Sequence, residues 1–176
     1  MKTLATALFT TFIAANAAAT GTTANAGFDR ARRAMPSTIT VAVDGLSCRS
    51  SMGSGTFAVR SWSWGAANES TSSGSGGGSG RAMVSNLSIK KAFDACSASL
   101  FGSVTTGRFY PRVTLTQQDA GGNLVATVEL SAALVTSWTV GSSVRDTAPD
   151  EAVSFSYREV CVSSLDSPRQ CFDTRG

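Results

Sequence analysis

Four cysteines, Cys48, Cys96, Cys161 and Cys171, offer the most chemistry in this chain. Their spacings contain no Cys-x-x-Cys pair, and without histidine there is no Cys/His set, so zinc is the less favoured reading. Disulfides are the alternative, and four cysteines allow three pairings. Asp166-Ser167-Pro168, between Cys161 and Cys171, reads as a turn that folds the tail back on the last strand, which favours Cys161 with Cys171 and leaves Cys48 with Cys96.

Catalytic arrangements are absent where they were sought. With no histidine, neither a Ser-His-Asp nor a Cys-His arrangement can be built, and the commonest near-neutral general base is missing. Ser88-Ile89-Lys90-Lys91 matches Ser-x-x-Lys in form. That motif needs Ser and Lys on one face of a helix, and strand positions three apart point to opposite faces. The glycine-rich run Gly74-Ser75-Gly76-Gly77-Gly78-Ser79-Gly80 leads into Arg81-Ala82 where a phosphate loop needs Lys followed by Ser or Thr. Trp62, Trp64 and Trp138 could form a sugar or peptide platform, but aromatic side chains of a buried core are the simpler expectation, and Phe155 joins them there. No cofactor, no metal and no enzymatic activity is expected.

The elements that position these residues read mainly as strands. Ile39, Val41 and Val43 alternate into the turn Asp44-Gly45. Phe57 and Val59, then Trp62 and Trp64, alternate on either side of Arg60-Ser61 but change phase between them, which a β-bulge would explain. Met83, Leu87 and Ile89 share one face of the returning strand, so residues 55–91 form a wide hairpin around a Ser/Gly loop at residues 70–80. Phe93, Cys96, Leu100, Phe101 and Val104 then fall at helical spacing, with Gly107 as the stop. Val113 and Leu115 precede the turn Ala120-Gly121-Gly122-Asn123, and Leu124, Ala126, Val128 and Leu130 alternate after it. Leu134, Trp138 and Val140 follow, and the last core strand carries Val153, Phe155 and Tyr157 before a second phase change near Arg158-Glu159. About seven strands and one helix predict an all-β fold closed into a compact barrel, since closure removes exposed edges.

The ordered blocks carry a resemblance. Ser61-Trp62-Ser63-Trp64-Gly65, the Gly/Ser loop closing on Gly80-Arg81, Leu87-Ser88-Ile89-Lys90-Lys91, Asp94-Ala95-Cys96-Ser97-Ala98-Ser99-Leu100-Phe101 and Thr106-Gly107-Arg108-Phe109-Tyr110-Pro111 are similar to the Hcp family, the tube proteins of type VI secretion systems. The similarity runs over residues 39–162. It implies a compact β-barrel with one helix, assembled into hexameric rings that stack into a tube, with the Gly/Ser arm at ring-to-ring contacts.

The N-terminus adds a second theme. Lys2, an apolar run over residues 4–15 and a small-residue zone ending Ala24-Asn25-Ala26 are the layout of a secretory signal peptide, cleaved after Ala26 or after Ala17. Cleavage after Ala26 leaves 176 − 26 = 150 residues, enough for one domain with a real core. The domain plan is a signal peptide at 1–26, an extended arm at 27–38, the barrel at 39–164 and a disulfide-tethered tail at 165–176. Later segments fall short of the ~18 uncharged apolar residues that a membrane span requires. Without Lys2 the formal charge falls from +3 to +2, and charges so scattered give no nucleic-acid or membrane footprint. The expected function is a self-assembling ring, tube or fibre subunit exported from the cell. A monomeric exported binding module, and a genuine type VI tube component or secreted effector, are the alternatives.

Overall fold

Strand β1 (Thr38–Val43) buries Val41 and Val43 and leaves the intervening Ala42 half-covered, as its alternation requires. It is the first of thirteen strands in the computed structural model, which describes residues 37–68 and 82–175. The expected leader, the N-terminal arm up to residue 36 and the whole run from Gly74 to Gly80 lie outside the described residues. Among the described residues there is one helix, and no helix is long and apolar enough to cross a membrane.

Seven strands form a continuous ring. In order they are β4 (Thr56–Ala58), β1, β9 (Phe109–Gln118), β10 (Leu124–Gly141), β11 (Asp150–Ser156), β8 (Leu87–Ala92) and β5 (Ser61–Ser63). The ring closes because β4 and β5 belong to one run of chain. The Val59 N–H donates to the Ile39 carbonyl at 2.9 Å, and the next N–H, that of Arg60, donates to Lys90 at 2.7 Å. The phase change expected to be a bulge is therefore a change of partner: the chain leaves β1 and joins β8 within two residues. Such a step turns the inward face without leaving backbone groups unpaired.

The second phase change marks another corner. β10 is one long strand where the sequence suggested two runs, and it is flanked on one side by β11 along residues 134–141 and by β12 (Glu159–Ser164) along residues 126–131. Between them the strand is interrupted at Tyr157-Arg158, where the Arg158 N–H reaches the Ser131 carbonyl at 3.0 Å. Opposite the break, Ala132 has φ 49°, a left-handed conformation that costs an L-residue about 1–2 kcal/mol. β13 (Ser167–Asp173) then pairs antiparallel with β12, so the tail expected to fold back is a strand at the sheet edge.

Two short ladders leave the ring, the first unforeseen in the sequence and the second continuing the hairpin expected over residues 55–91. β2 (Arg49–Ser50) pairs with β3 (Gly53–Ser54), and β6 (Ala66–Asn68) pairs with β7 (Ala82–Val84). Gly55 shows why the first needs glycine: at φ 66° a Cβ there would lie 2.5 Å from the Val43 carbonyl oxygen. At the β9–β10 turn the Asp119 carboxylate accepts the N–H groups of Gly121 and Asn123 at 2.8 and 2.9 Å. Gly122 at φ 80° completes that turn.

Helix α1 (Ser97–Thr106) is shorter than the apolar spacing suggested. Phe93 precedes it and is 46% exposed, and Phe101 is 50% exposed, so only Leu100 of the apolar set reaches full burial from within the helix. Gly107 ends it at φ 63°, and the Arg108 N–H bonds the Ser103 carbonyl at 3.3 Å. At its start Cys96 is bonded to Cys48, while the Asp94 carboxylate accepts the Cys96 N–H at 2.8 Å.

The inner face of the ring holds an ion pair. Lys91 and Glu151 lie directly opposite each other on β8 and β11, both side chains wholly buried, with Nζ to Oε1 at 2.6 Å. Nζ also donates to the Ala92 carbonyl at 2.9 Å and to Ser97 Oγ at 3.3 Å, forms an ion pair with Asp94 Oδ1 at 2.8 Å, and lies 5.2 Å from the centre of the Phe57 ring. Glu151 Oε2 accepts the Trp138 indole N–H at 3.0 Å. Removing Lys91 strands the Glu151 carboxylate in the core, a loss of about 3–5 kcal/mol from a stability of about 5–15 kcal/mol, and removing Glu151 leaves Lys91 with Asp94 as its counter-charge. Glu151→Gln and Lys91→Met should each lower the urea midpoint strongly. The double variant Lys91→Met/Glu151→Leu, with no charge left to bury, should recover much of that loss.

Candidate assembly surface

Arm β6–β7 projects from the ring at a clamped root. The Ser85 N–H donates to the Gly65 carbonyl at 2.9 Å, and the Gly65 N–H donates to Ser85 Oγ at 2.9 Å. Tyr157, from the corner between β11 and β12, donates its hydroxyl hydrogen to the Ser85 carbonyl at 2.7 Å and accepts the Trp64 indole N–H. Asn86 Nδ2 reaches Thr136 Oγ1 at 3.2 Å. Beyond this root every residue of β6 is exposed, and Met83 is 62% exposed. Met83 therefore does not share a buried face with Leu87 and Ile89: the strand breaks at Ser85-Asn86, and the arm leaves the core there. Residues 69–81, which join β6 to β7 and include the predicted contact loop, lie outside the described residues.

The predicted core aromatics divide. Phe155 is fully buried, whereas Trp62, Trp64 and Trp138 are partly buried and pack against the core from its margin. Each indole N–H is used within the chain, Trp62 on Gln117 Oε1 at 3.0 Å, Trp64 on Tyr157 and Trp138 on Glu151. Trp62 lies on β5 and Trp64 just past its end, Trp138 lies on β10, and the three N–H groups engage three different partners. The Phe101 and Trp138 rings meet at a tilt of 55° with centres 5.2 Å apart, which ties the outer side of α1 to β10.

Both expected disulfides are present, Cys48–Cys96 and Cys161–Cys171. Ser88 and Lys91 do lie on opposite faces: Ser88 Oγ meets Ser154 Oγ at 3.0 Å while Lys91 points into the core. The buried pair itself escaped the sequence analysis. Its signal was available, since Lys91 continues the Leu87-Ile89 alternation and Glu151 begins that of Val153-Phe155, which places both charges on the apolar face. Beside α1 a hollow of about 240 Å³ is lined by Leu46, Ser47, Ser99, Ser103, Arg108 and Tyr110, and the Arg108 guanidinium lies over the Tyr110 ring at 5.4 Å.

Burial raises the Tyr157 hydroxyl above the usual tyrosine value of 10.0, and the hydrogen bond from Trp64 partly offsets the rise. Raised in the folded state, this group contributes stability that is complete below the unfolded value and is lost as pH climbs through the folded one. The stability difference between the parent and Tyr157→Phe should therefore be constant at neutral pH and shrink as pH rises past 10.0, read from denaturant midpoints across that range.

Comparison with known proteins matches these features as a whole. A family model described as "Type VI secretion system effector, Hcp" matches residues 37–163. The fold is similar to Hcp1 from Salmonella typhimurium, at 23% identity and TM-score 0.66 over 80% of this chain and 97% of that one. It is also similar to a type VI secretion system effector from Yersinia pestis, at 17% identity and TM-score 0.64 over 77% and 99% of the two chains. The secreted protein Hcp3 from Pseudomonas aeruginosa is similar at 15% identity and TM-score 0.57 over 81% and 100%. No curated protein sequence matches the chain. With the family match spanning the strand ring, α1 and the arm, the chain belongs to the Hcp family of type VI secretion systems.

Proposed function

We propose that this protein is a structural subunit that assembles with copies of itself into rings, stacked into a tube or fibre, and that it is exported by its N-terminal leader. The observation that carries the proposal is the match of residues 37–163 to the Hcp family, which takes in the whole ring of strands. Support for assembly also comes from the arm, whose root is held by five hydrogen bonds among Gly65, Ser85, Tyr157 and Trp64 although its outer strands bury little. A rigid root under an exposed tip suits a contact made outside the subunit, and residues 74–80 lack side chains that would keep another backbone away. No catalytic role is proposed.

Export is supported by the leader pattern at residues 1–26 and by two disulfides, which persist in oxidising compartments and are rare in the cytosol. Alkylation without reductant, followed by mass measurement of the exported chain, should find no modified cysteine and a mass starting at Gly27. A stoichiometrically alkylated cysteine, or a retained leader, would count against export. Replacing residues 70–80 by Asn-Gly should leave the melting temperature of the isolated subunit nearly unchanged and abolish stacking in electron micrographs of the oxidised protein. Normal stacking by the shortened chain would remove the role given to the arm. A single-chain mass at every concentration of the parent would favour the monomeric binding module instead.

A further inference from the structure

The outer face of the β12–β13 hairpin carries residues that neither the barrel nor the arm uses. Cys161 and Cys171 are directly opposite in register, with Cα atoms 4.0 Å apart, and Glu159 lies two residues before Cys161 on the same face of β12. One carboxylate oxygen of Glu159 and the two sulfurs all fall within 4.8 Å of one another. Ion pairs along this face join Arg169 to Glu129, and Arg158 and Arg175 to Asp173, leaving Glu159 outside them.

The strand that this bond secures has little else to hold it. Residues 167–171 of β13 are all exposed, and Phe172 is its one side chain packed against the core. Cys161 is nearly covered but its partner Cys171 is open to solvent, whereas in the other disulfide Cys48 is half-buried and Cys96 wholly enclosed, so a thiol reductant reaches Cys161–Cys171 first, at the Cys171 sulfur. Two molecules of a small thiol, or one dithiol protein, supply two electrons by way of a mixed disulfide and leave as a disulfide, and their two protons go to the Cys161 and Cys171 sulfurs.

We propose that, once reduced, Cys161 and Cys171 together with Glu159 form a binding site for a soft divalent cation of the zinc or cadmium class, which then holds β13 on β12 in place of the disulfide. Two thiolates on a tetrahedral zinc ion, each about 2.3 Å from the metal, sit about 3.8 Å apart, a separation that directly opposed cysteines reach without moving the strands. Binding releases the two thiol protons, Glu159 supplies the third ligand, and the open side of the hairpin leaves a fourth position for water. Cross-strand linkage is thereby kept in both oxidising and reducing surroundings.

Cadmium ion alone is the probe. The oxidised chain and the same chain after mild phosphine reduction are titrated in parallel, following sulfur-to-cadmium charge-transfer absorption and proton release. The reduced chain should bind one ion and release two protons, and the oxidised chain should show no such band. Glu159→Gln should weaken binding by about tenfold or more, and Cys161→Ser/Cys171→Ser should lose it. The proposal is overturned by no band in the reduced parent, by a full band in the oxidised parent or in the double serine variant, or by unchanged affinity in Glu159→Gln.

Discussion

A lysine and a glutamate facing each other inside the barrel constrain everything around them. Lys91 and Glu151 are both fully buried, so each of their polar atoms needs a partner supplied by the fold, and the fold supplies them from four directions. β8 and β11 bring the pair into register, Asp94 and Ser97 come from the start of α1, Trp138 comes from β10, and the ring of Phe57 comes from β4. A slip of one residue between β8 and β11 would separate the charges. The pair thus acts less as a source of net stability, which buried ion pairs seldom provide, than as a condition that one register satisfies.

The same cluster explains how a short helix finds its place on a sheet. α1 has no side-chain cap at Cys96 and no acidic residue in its first turn, so its local N-terminal signals are weak. Its position is set by ties to the sheet: Cys96 to the distant Cys48, Asp94 and Ser97 to the nearby Lys91 at the end of β8, and Phe101 to Trp138. Since Trp138 also bonds Glu151, the helix, β10 and the buried pair form one connected unit. Separate mutations within it are expected to be non-additive.

Much of this was legible in the sequence because side-chain period is local information. The alternation in Ile39-Val41-Val43 and in Val153-Phe155, the turn residues around Gly122 and the stop at Gly107 each depend on a few neighbours, and the strands, the turn and the helix end fall there. What could not be read were the consequences of pairing between distant segments. The phase change at Arg60 is visible in the sequence, but its cause is that the adjacent N–H groups of Val59 and Arg60 bond to Ile39 and Lys90 on two different strands. Met83 has the right parity for the core yet sits on the arm, because Ser85 is claimed by Gly65 and Tyr157. Phe93 and Phe101 match a helical stripe, but α1 begins only at Ser97 and turns a narrow face inward.

The two disulfides act on different parts of the same problem. Cys48–Cys96 spans 48 residues, and constraining a loop of that size in the unfolded chain is worth roughly 4 kcal/mol in the chain-entropy model. It secures α1 and the β1–β4 region, which the buried pair already orders, so it reinforces a structure that has other support. Cys161–Cys171 spans 10 residues, worth somewhat less in the same model, about 3 kcal/mol. Yet β13 is exposed along most of its length and lies at an edge, where backbone groups face competing partners. The smaller effect is therefore the more decisive one. Without a cross-link this strand has chiefly Phe172 and its ladder to β12 to keep it in place, and the edge of β12 beneath it would then open to any other strand of suitable length.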